Sequence, residues 1–232
     1  MKRILITGAN RGYGLALAHA FSHSGYALYL VVRSEASREV LLLCFPNACI
    51  LVEDVVSDGY EARLNDWLRS VTLDVVINNA GVGAKAPTLT STTTGDLRRT
   101  FDTNCVGVLS TVKGSLAALL RNQSAMIINI SSRRGSLTMQ SQLAAKGSGC
   151  SYAYRISKAA QNMLTLCLAD ELEESRIKVV SVHPGRLLTK MAASDACLSP
   201  EASAQKLVNL VEDNAFCTRD FIDLEDESRL PW

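Results

Sequence analysis

Tyr154 and Lys158 stand four residues apart in the run YAYRISKAA, so any helix that contains both carries them on one face. A cation is thereby held near a phenol. An ordinary tyrosine ionises near pH ~10, and a neighbouring ammonium group favours the phenolate, bringing the proton into range for exchange near neutral pH. Tyr154 can then serve as a general acid toward a carbonyl oxygen that becomes an alkoxide when hydride reaches its carbon. Ser132, at the end of the apolar run MIINIS, supplies a second hydroxyl to hydrogen-bond that developing charge. The pair alone is weak evidence. With six tyrosines in 232 residues the spacing arises readily by chance, and a half-buried ring beside a solvated lysine is the commoner meaning of such a helix.

The segments that must position these groups decide the matter. ILIT (4–7) is an apolar β-rich run that meets GANRGYG and then LALAHAFSHSG, whose apolar residues recur at helical spacing. In this strand, turn and helix, Gly8, Gly12 and Gly14 fall where backbone turns tightly and approaches a diphosphate at a helix N-terminus. ALYLVVRS (27–34) reads as a second strand whose end lies where an adenine ribose is usually recognised. Arg33 occupies that place and Arg11 lies in the loop. Two guanidinium groups suit a 2′-phosphate and predict NADPH; Glu35 keeps NADH open, and either arginine can be a plain surface charge.

CILVEDV ends at Asp54 and Val55, placed to take an adenine amino group and ring. Ser57 and Asp58 just beyond also suit a helix cap before YEARLNDWLRS. LDVVINNAG (73–81) predicts a fourth strand ending in small and polar residues over which a cofactor can lie. Residues 94–120 read as a long helix interrupted by Asn104 and Gly107, and the mid-helix asparagine implies a kink or a polar task. AMIINIS, IKVVSVHPG and FCTRDFIDL supply three further strands. The helix expected over 152–174 shows an apolar stripe of Ile156, Ala159, Ala160, Met163, Leu164, Cys167 and Leu168, read as core or subunit contact. His183 is read as a strand-end residue. The last helix opens on Ser199 and Pro200.

Bulk properties remove whole classes of function. The formal charge of +1, with both signs interspersed, leaves no electrostatic footprint for nucleic acid or an anionic membrane. The opening MKRILITGAN turns too soon for a secretory or spanning segment, so a cytoplasmic protein is expected. Seven scattered cysteines lack metal or disulfide spacing, which predicts no metal and reduced, largely buried thiols. The length suits one domain over 1–232.

Taken together, these segments resemble a short-chain dehydrogenase/reductase over essentially the full chain. TGANRGYG (7–14) matches the family's cofactor loop, Asp54 its adenine-contacting aspartate, NNAG (78–81) the motif beneath the cofactor, and PGRLLT (184–189) the segment over the nicotinamide. Asn104, Ser132, Tyr154 and Lys158 match its catalytic tetrad. The resemblance implies a Rossmann-like α/β domain, a doubly wound parallel sheet of about seven strands with helices on both faces. It implies Tyr154 as acid/base, Ser132 orienting the carbonyl, Lys158 binding the nicotinamide ribose and lowering the Tyr154 pKa, and Asn104 holding a relay water. NADP(H), with NAD(H) possible, would lie against Gly8, Asn10, Arg11, Gly12, Tyr13, Gly14, Arg33, Asp54, Val55, Asn79, Ala80, Gly81, Tyr154, Lys158, Pro184, Gly185 and Thr189. SSRRGSL, YAYRISKAA and FIDLEDESRLPW resemble its C-factor-like, carbonyl-reductase-like branch. Tyr13, where the family has a smaller residue, and Arg186, where the branch commonly has tryptophan, depart from it. The implied activity is reduction of a small carbonyl compound, or the reverse, in a homodimer or homotetramer. A non-catalytic, cofactor-sensing signalling protein is the alternative, and a lyase or epimerase on the same scaffold a second rival.

Overall fold

Seven apolar runs form one parallel sheet: β1 (Arg3–Thr7), β2 (Ala27–Val32), β3 (Cys49–Val52), β4 (Val75–Asn78), β5 (Met126–Ile130), β6 (Lys178–His183) and β7 (Phe221–Asp223). These coordinates are a computed structural model that describes residues 1–188 and 197–232. The strand order is β3-β2-β1-β4-β5-β6-β7, with every neighbouring pair parallel. Parallel strands need crossovers that cover both faces, which is why the central strands read as apolar runs without alternation. The doubly wound sheet expected from the sequence is what the chain forms. Its order reverses between β1 and β4, and the carboxyl ends of those strands open the crevice where such sheets bind ligands.

The crossovers are α1 (Gly12–His23), α2 (Glu35–Cys44), α3 (Tyr60–Trp67), α4 (Thr94–Phe101), α5 (Gly107–Leu120), α6 (Leu137–Ser141), α7 (Tyr152–Glu171) and α8 (Pro200–Glu212). On one face, Leu17 and Phe21 of α1 and Leu207 and Val208 of α8 pack on Ile4, Ile6, Ile128 and Val180. On the other, Leu64 of α3, Leu119 of α5 and Ala169 of α7 pack on Leu5, Val76, Ile127 and Val179. Each fully buried leucine or isoleucine contributes about 1.5–3 kcal/mol relative to exposure, so the sheet is clamped between two apolar layers.

The interruption expected in 94–120 is a single π-helical turn, Asp102–Val106, with Asn104 wholly buried inside it. Such a turn widens the helix and re-aims a side chain. By length and composition the run Thr94–Leu120 could cross a bilayer, but half of its apolar window is buried within this fold.

Two expectations need correcting. Five of the cysteines, Cys44, Cys49, Cys167, Cys197 and Cys217, are exposed, and Cys105 and Cys150 are half-buried. Cys44 ends α2, Cys49 opens the edge strand β3, and Cys167 lies on the outward side of α7, so their apolar character does not bring them inside. α7 stops at Glu171, three residues short of the expected end. Its apolar stripe, read as core or subunit contact, divides between the two sides: Ile156 at 49% and Met163 at 59% exposure point outward, Leu168 is buried in the core, and Ser157, Lys158, Gln161, Asn162 and Thr165 also face the sheet.

Candidate active site

The β1–α1 turn is sewn to the end of β4. Thr7 Oγ1 accepts the Asn79 and Ala80 N–H groups at 3.1 and 3.0 Å, and Asn79 Nδ2 donates to the Thr7 and Gly8 carbonyls. A side chain at Gly14 would put Cβ 2.2 Å from Gly8 O and 2.4 Å from Asn79 Nδ2, so only glycine allows this approach. α1 begins without a side-chain cap at Arg11 and without an acidic residue in its first turn. Its leading N–H groups therefore keep their capacity for an anion.

Around this cradle the sequence-predicted cofactor residues fall into two sets. Gly8, Arg11, Gly12, Gly14, Asn79, Ala80 and Gly81 line the ends of β1 and β4 and the start of α1. Asn10 lies beside them, its Nδ2 donating to Ser37 Oγ at 3.1 Å. Arg33 lies just past β2, exposed, with Nη1 3.9 Å from Asp54 Oδ2. Glu35 is occupied in the first turn of α2, paired with Arg38 at 3.1 Å, while Ser34 caps that helix. Val55 is buried against Gly107, where a Cβ would stand 2.8 Å from its Cγ2. The group fits a dinucleotide: a Cβ-free cradle, an uncapped helix start, Arg11 at that start and Arg33 just past β2.

The Tyr13 side chain does not join this set. Its ring is buried in the α1–α8 layer, where the hydroxyl is hydrogen-bonded with Ser203 Oγ at 3.2 Å. Ser203 Oγ is also 2.7 Å from Pro184 O. Tyr13 thus braces the strand end that carries Pro184 and Gly185, giving the large residue at this place a packing reason. Gly185 adopts φ +84°, and a Cβ there would meet Leu198 at 2.9 Å. Arg186 grips both carboxylate oxygens of Glu225, which holds that carboxyl down to about 2. Thr189 lies outside the described residues.

The candidate tetrad is brought together. Asn104 donates to Val82 O at 2.9 Å and Ser157 Oγ at 3.0 Å, and its Oδ1 accepts the Val82 N–H at 2.9 Å. A Cβ on Gly81 would lie 3.4 Å from Asn104 Oδ1 and 4.0 Å from Lys158 Nζ, so the end of β4, the π turn and α7 meet at one point. Ser132 caps the short 3₁₀ turn Arg133–Gly135, its Oγ accepting the Arg134 N–H at 3.2 Å. Gly135 presses on the α7 backbone, where a Cβ would be 2.7 Å from the Lys158 carbonyl carbon. This contact fixes the Ser132 turn against the helix that bears Tyr154 and Lys158.

Burial disfavours both charges of the pair. Lys158 is buried, with Nζ donating to Ile130 O at 2.7 Å and Gln161 Oε1 at 2.8 Å, and desolvation brings its pKa down to about 7. Desolvation pushes Tyr154 up to about 12, against the opposing pull of hydrogen bonding to Ser132. The ammonium nitrogen stands 5.8 Å from the phenol ring centre. In this arrangement the leading causes acting on the Tyr154 phenol are burial and Ser132, not Lys158, whose own charge is only partly retained near neutral pH.

Sequence reasoning missed the groups that hold this pair. Gln161 follows Lys158 by three residues, a same-face spacing that was readable in the sequence. Below it runs a buried polar spine: Asn78 to Asn129 at 2.8 Å, Asn129 to Thr165 at 2.9 Å, Thr165 to Ser181 at 2.9 Å, and Ser131 to Asn162. His183 is a buried strand-end residue as expected, with neither ring nitrogen hydrogen-bonded to protein, and burial takes its pKa down to about 3. Among the described residues no cluster of three His, Cys, Asp or Glu side chains is placed to hold a metal ion.

Comparison with known proteins agrees with this geometry. The "short chain dehydrogenase" family matches residues 2–196. C-signal of Myxococcus xanthus is 32% identical over 161 residues, covering 69% of this chain and 93% of that protein. Galactitol 2-dehydrogenase of Rhizobium johnstonii is 29% identical over 199 residues, covering 83% and 74%. Among solved structures, the carbonyl reductase Sniffer of D. melanogaster superposes with a TM-score of 0.85 at 31% identity, each chain wholly covered. The NADPH-bound carbonyl reductase from chicken fatty liver gives 0.85 at 28%, covering 100% and 99%. With a crevice at the sheet reversal, a glycine cradle and a buried tyrosine–lysine pair on the page, the chain belongs to the short-chain dehydrogenase family of oxidoreductases.

Proposed function

We propose that the protein interconverts a small carbonyl compound and its alcohol with NADPH, using Tyr154 as the proton donor and acceptor. The observation that carries this reading is the meeting of Asn104 and Lys158 at the end of β4 by Gly81, with Tyr154 hydrogen-bonded to Ser132 one helical turn before Lys158. When bound, the nicotinamide supplies or takes up the hydride. Arg11 and Arg33 recognise the 2′-phosphate, the α1 N-terminus and glycine turn take the diphosphate, and Asp54 and Val55 take the adenine. Ser132 holds the substrate oxygen and Tyr154 delivers its proton to that oxygen in the reductive direction. Lys158, once charged, favours the phenolate that remains; Asn104 keeps the π turn tied to Val82. The NADPH-bound carbonyl reductase of chicken fatty liver supports the choice of cofactor.

Calorimetric titration with NADPH and NADH, followed by a panel of small aldehydes, diketones and quinones read by nicotinamide absorbance, tests the reading. Tighter NADPH binding with turnover is expected. Binding without turnover favours the sensing role that similarity to C-signal supports, and conversion of substrate without net NADPH consumption favours a lyase or epimerase.

The outward apolar residues Ile156 and Met163 of α7, Phe101 and Leu109 of α4 and α5, and Val106 in the π turn support self-association into a dimer or tetramer. Sedimentation of Met163→Glu is expected to shift toward the monomer; an unchanged profile in that variant removes this face from the contact. The reading invokes no membrane or nucleic acid and places the activity in the cytoplasm.

A further inference from the structure

α6 buries none of its own residues, and a helix of five residues does not hold itself together. Its place therefore depends on the partners of its first-turn N–H groups. Ser136 Oγ accepts the Met139 N–H at 3.0 Å, and the Trp232 carbonyl accepts the Thr138 N–H at 3.0 Å. At the far end of the helix Arg155 Nη1 donates to Gln140 Oε1 at 3.2 Å.

Trp232 is itself anchored. Its ring stacks on that of Phe221, with centres 5.1 Å apart and planes 27° to one another, and Phe221 is buried in β7. Residues 228–230 run antiparallel along the outer edge of β7. Ile222 pairs with Arg229, the Leu230 N–H donates to Phe221 O at 2.7 Å, and the Asp223 N–H donates to Ser228 O at 2.9 Å. Arg229 Nε lies 3.0 Å from Oδ1 of the buried Asp220. This pairing covers the open edge of the sheet and delivers Trp232 to α6.

From α6 the contacts continue to the reacting groups. Ser136 is buried, and its N–H donates to Arg133 O at 3.2 Å; the Gly135 N–H donates to Ser132 O at 2.8 Å. The same turn presses on α7 at Gly135 and begins at Ser132, which is hydrogen-bonded to Tyr154. A displacement of α6 therefore displaces the hydroxyl that faces the phenol.

We propose that Trp232 is a positioning residue for the reaction: seated on Phe221, it clamps the first turn of α6 and so fixes Ser132 where it holds the substrate oxygen beside Tyr154. The inference rests on the oxidoreductase reading above and adds to it a residue that acts through Ser132.

The test compares wild type, Trp232→Ala and Trp232→Phe in the reduction of 4-nitrobenzaldehyde, or of the best carbonyl of the panel above, by NADPH. NADPH affinity is taken from calorimetry, and backbone hydrogen exchange is followed over residues 132–141. In Trp232→Ala, kcat and kcat/KM are expected to fall together by about 10- to 100-fold, the scale of an ångström-sized misplacement, with NADPH affinity unchanged. Exchange over 132–141 should quicken about 2- to 10-fold, the scale of one hydrogen bond, while the central strands stay protected. Trp232→Phe, which can still stack, should recover turnover to within about threefold of wild type. Unchanged exchange over 132–141 in Trp232→Ala overturns the inference. Faster exchange with unaltered kcat, a loss confined to KM, or a loss that follows NADPH affinity overturns it as well. If Trp232→Ala does not fold, Trp232→Leu, which keeps an apolar cover on Phe221 without the stack, carries the same comparison. If wild type reduces no carbonyl, the oxidoreductase reading fails, and exchange over 132–141 alone decides: quickened exchange supports the clamp, and unchanged exchange overturns it.

Discussion

α1 and α7 both lie against the sheet beside the crevice, and they bury opposite kinds of surface. α1 turns Ala16, Leu17, Ala20 and Phe21 inward and leaves its function to backbone N–H groups at its first turn. α7 turns Ser157, Lys158, Gln161, Asn162 and Thr165 inward, with Leu168 and Ala169 in its last turns, and leaves Ile156 and Met163 outward. The difference follows from what each end presents. An anion cradle made of backbone needs only a close, rigid, apolar seat, whereas a lysine held in the interior needs acceptors, and those acceptors need partners in turn. α1 is therefore organised for packing, and α7 for setting protonation states.

That contrast can be broken from either side. The largest effect is expected from Gly14→Val on the α1 side, because no side chain fits within 2.2 Å of Gly8 O. Dinucleotide binding should be abolished in calorimetry and thermal stability reduced; a variant that binds normally contradicts the cradle. Leu17→Ala should cost about 2–5 kcal/mol in denaturant unfolding, as large-to-small core changes do, without moving the pH profile of turnover. On the α7 side, Gln161→Leu should cost less, about 1–3 kcal/mol, by leaving the buried Lys158 without one acceptor. It should shift the pH dependence of turnover as well, and an unshifted profile would make Gln161 merely structural.

The pair also predicts a stability profile with a definite sign. Lys158 is brought below its usual value to about 7, so between about pH 7 and 10 the unfolded chain binds more protons and stability rises with pH. Tyr154 is raised to about 12, so above pH 10 the folded chain binds more protons and stability falls. In urea titrations across this range Lys158→Met should flatten the rising limb, and Tyr154→Phe should make the falling one shallower, since buried Tyr13 and Tyr60 also contribute to it. The smallest effect, about 0.5–1.5 kcal/mol, is expected for Tyr13→Phe, which removes one buried hydroxyl from the Ser203 bridge.

The same contrast explains what could be read from the chain. The seven strands were legible because parallel strands buried on both faces leave unbroken apolar runs, and the glycine turn because its spacing between strand and helix has one geometric use. The tetrad residues were legible as a set of motifs, and Asn104 as an anomaly whose cause, a π turn, needs coordinates. α2 escaped because it buries only Leu41, and α6 because five residues carry no period. The apolar stripe of α7 left core and subunit contact both open, because a stripe alone does not say which side it faces. Here the core side carries a polar row beside Leu168 and Ala169, satisfied by a spine from Asn78 to Asn129, Thr165 and Ser181 contributed by three strands and a helix distant in sequence.

The central claim is that Tyr154 moves the proton. Turnover of a small aldehyde by wild type and by Tyr154→Phe, with NADPH binding measured in both, tests it most directly. The account predicts unchanged NADPH affinity and turnover about 10² to 10⁴ lower in the variant, the usual contribution of a positioned acid. Near-normal turnover in Tyr154→Phe would contradict it.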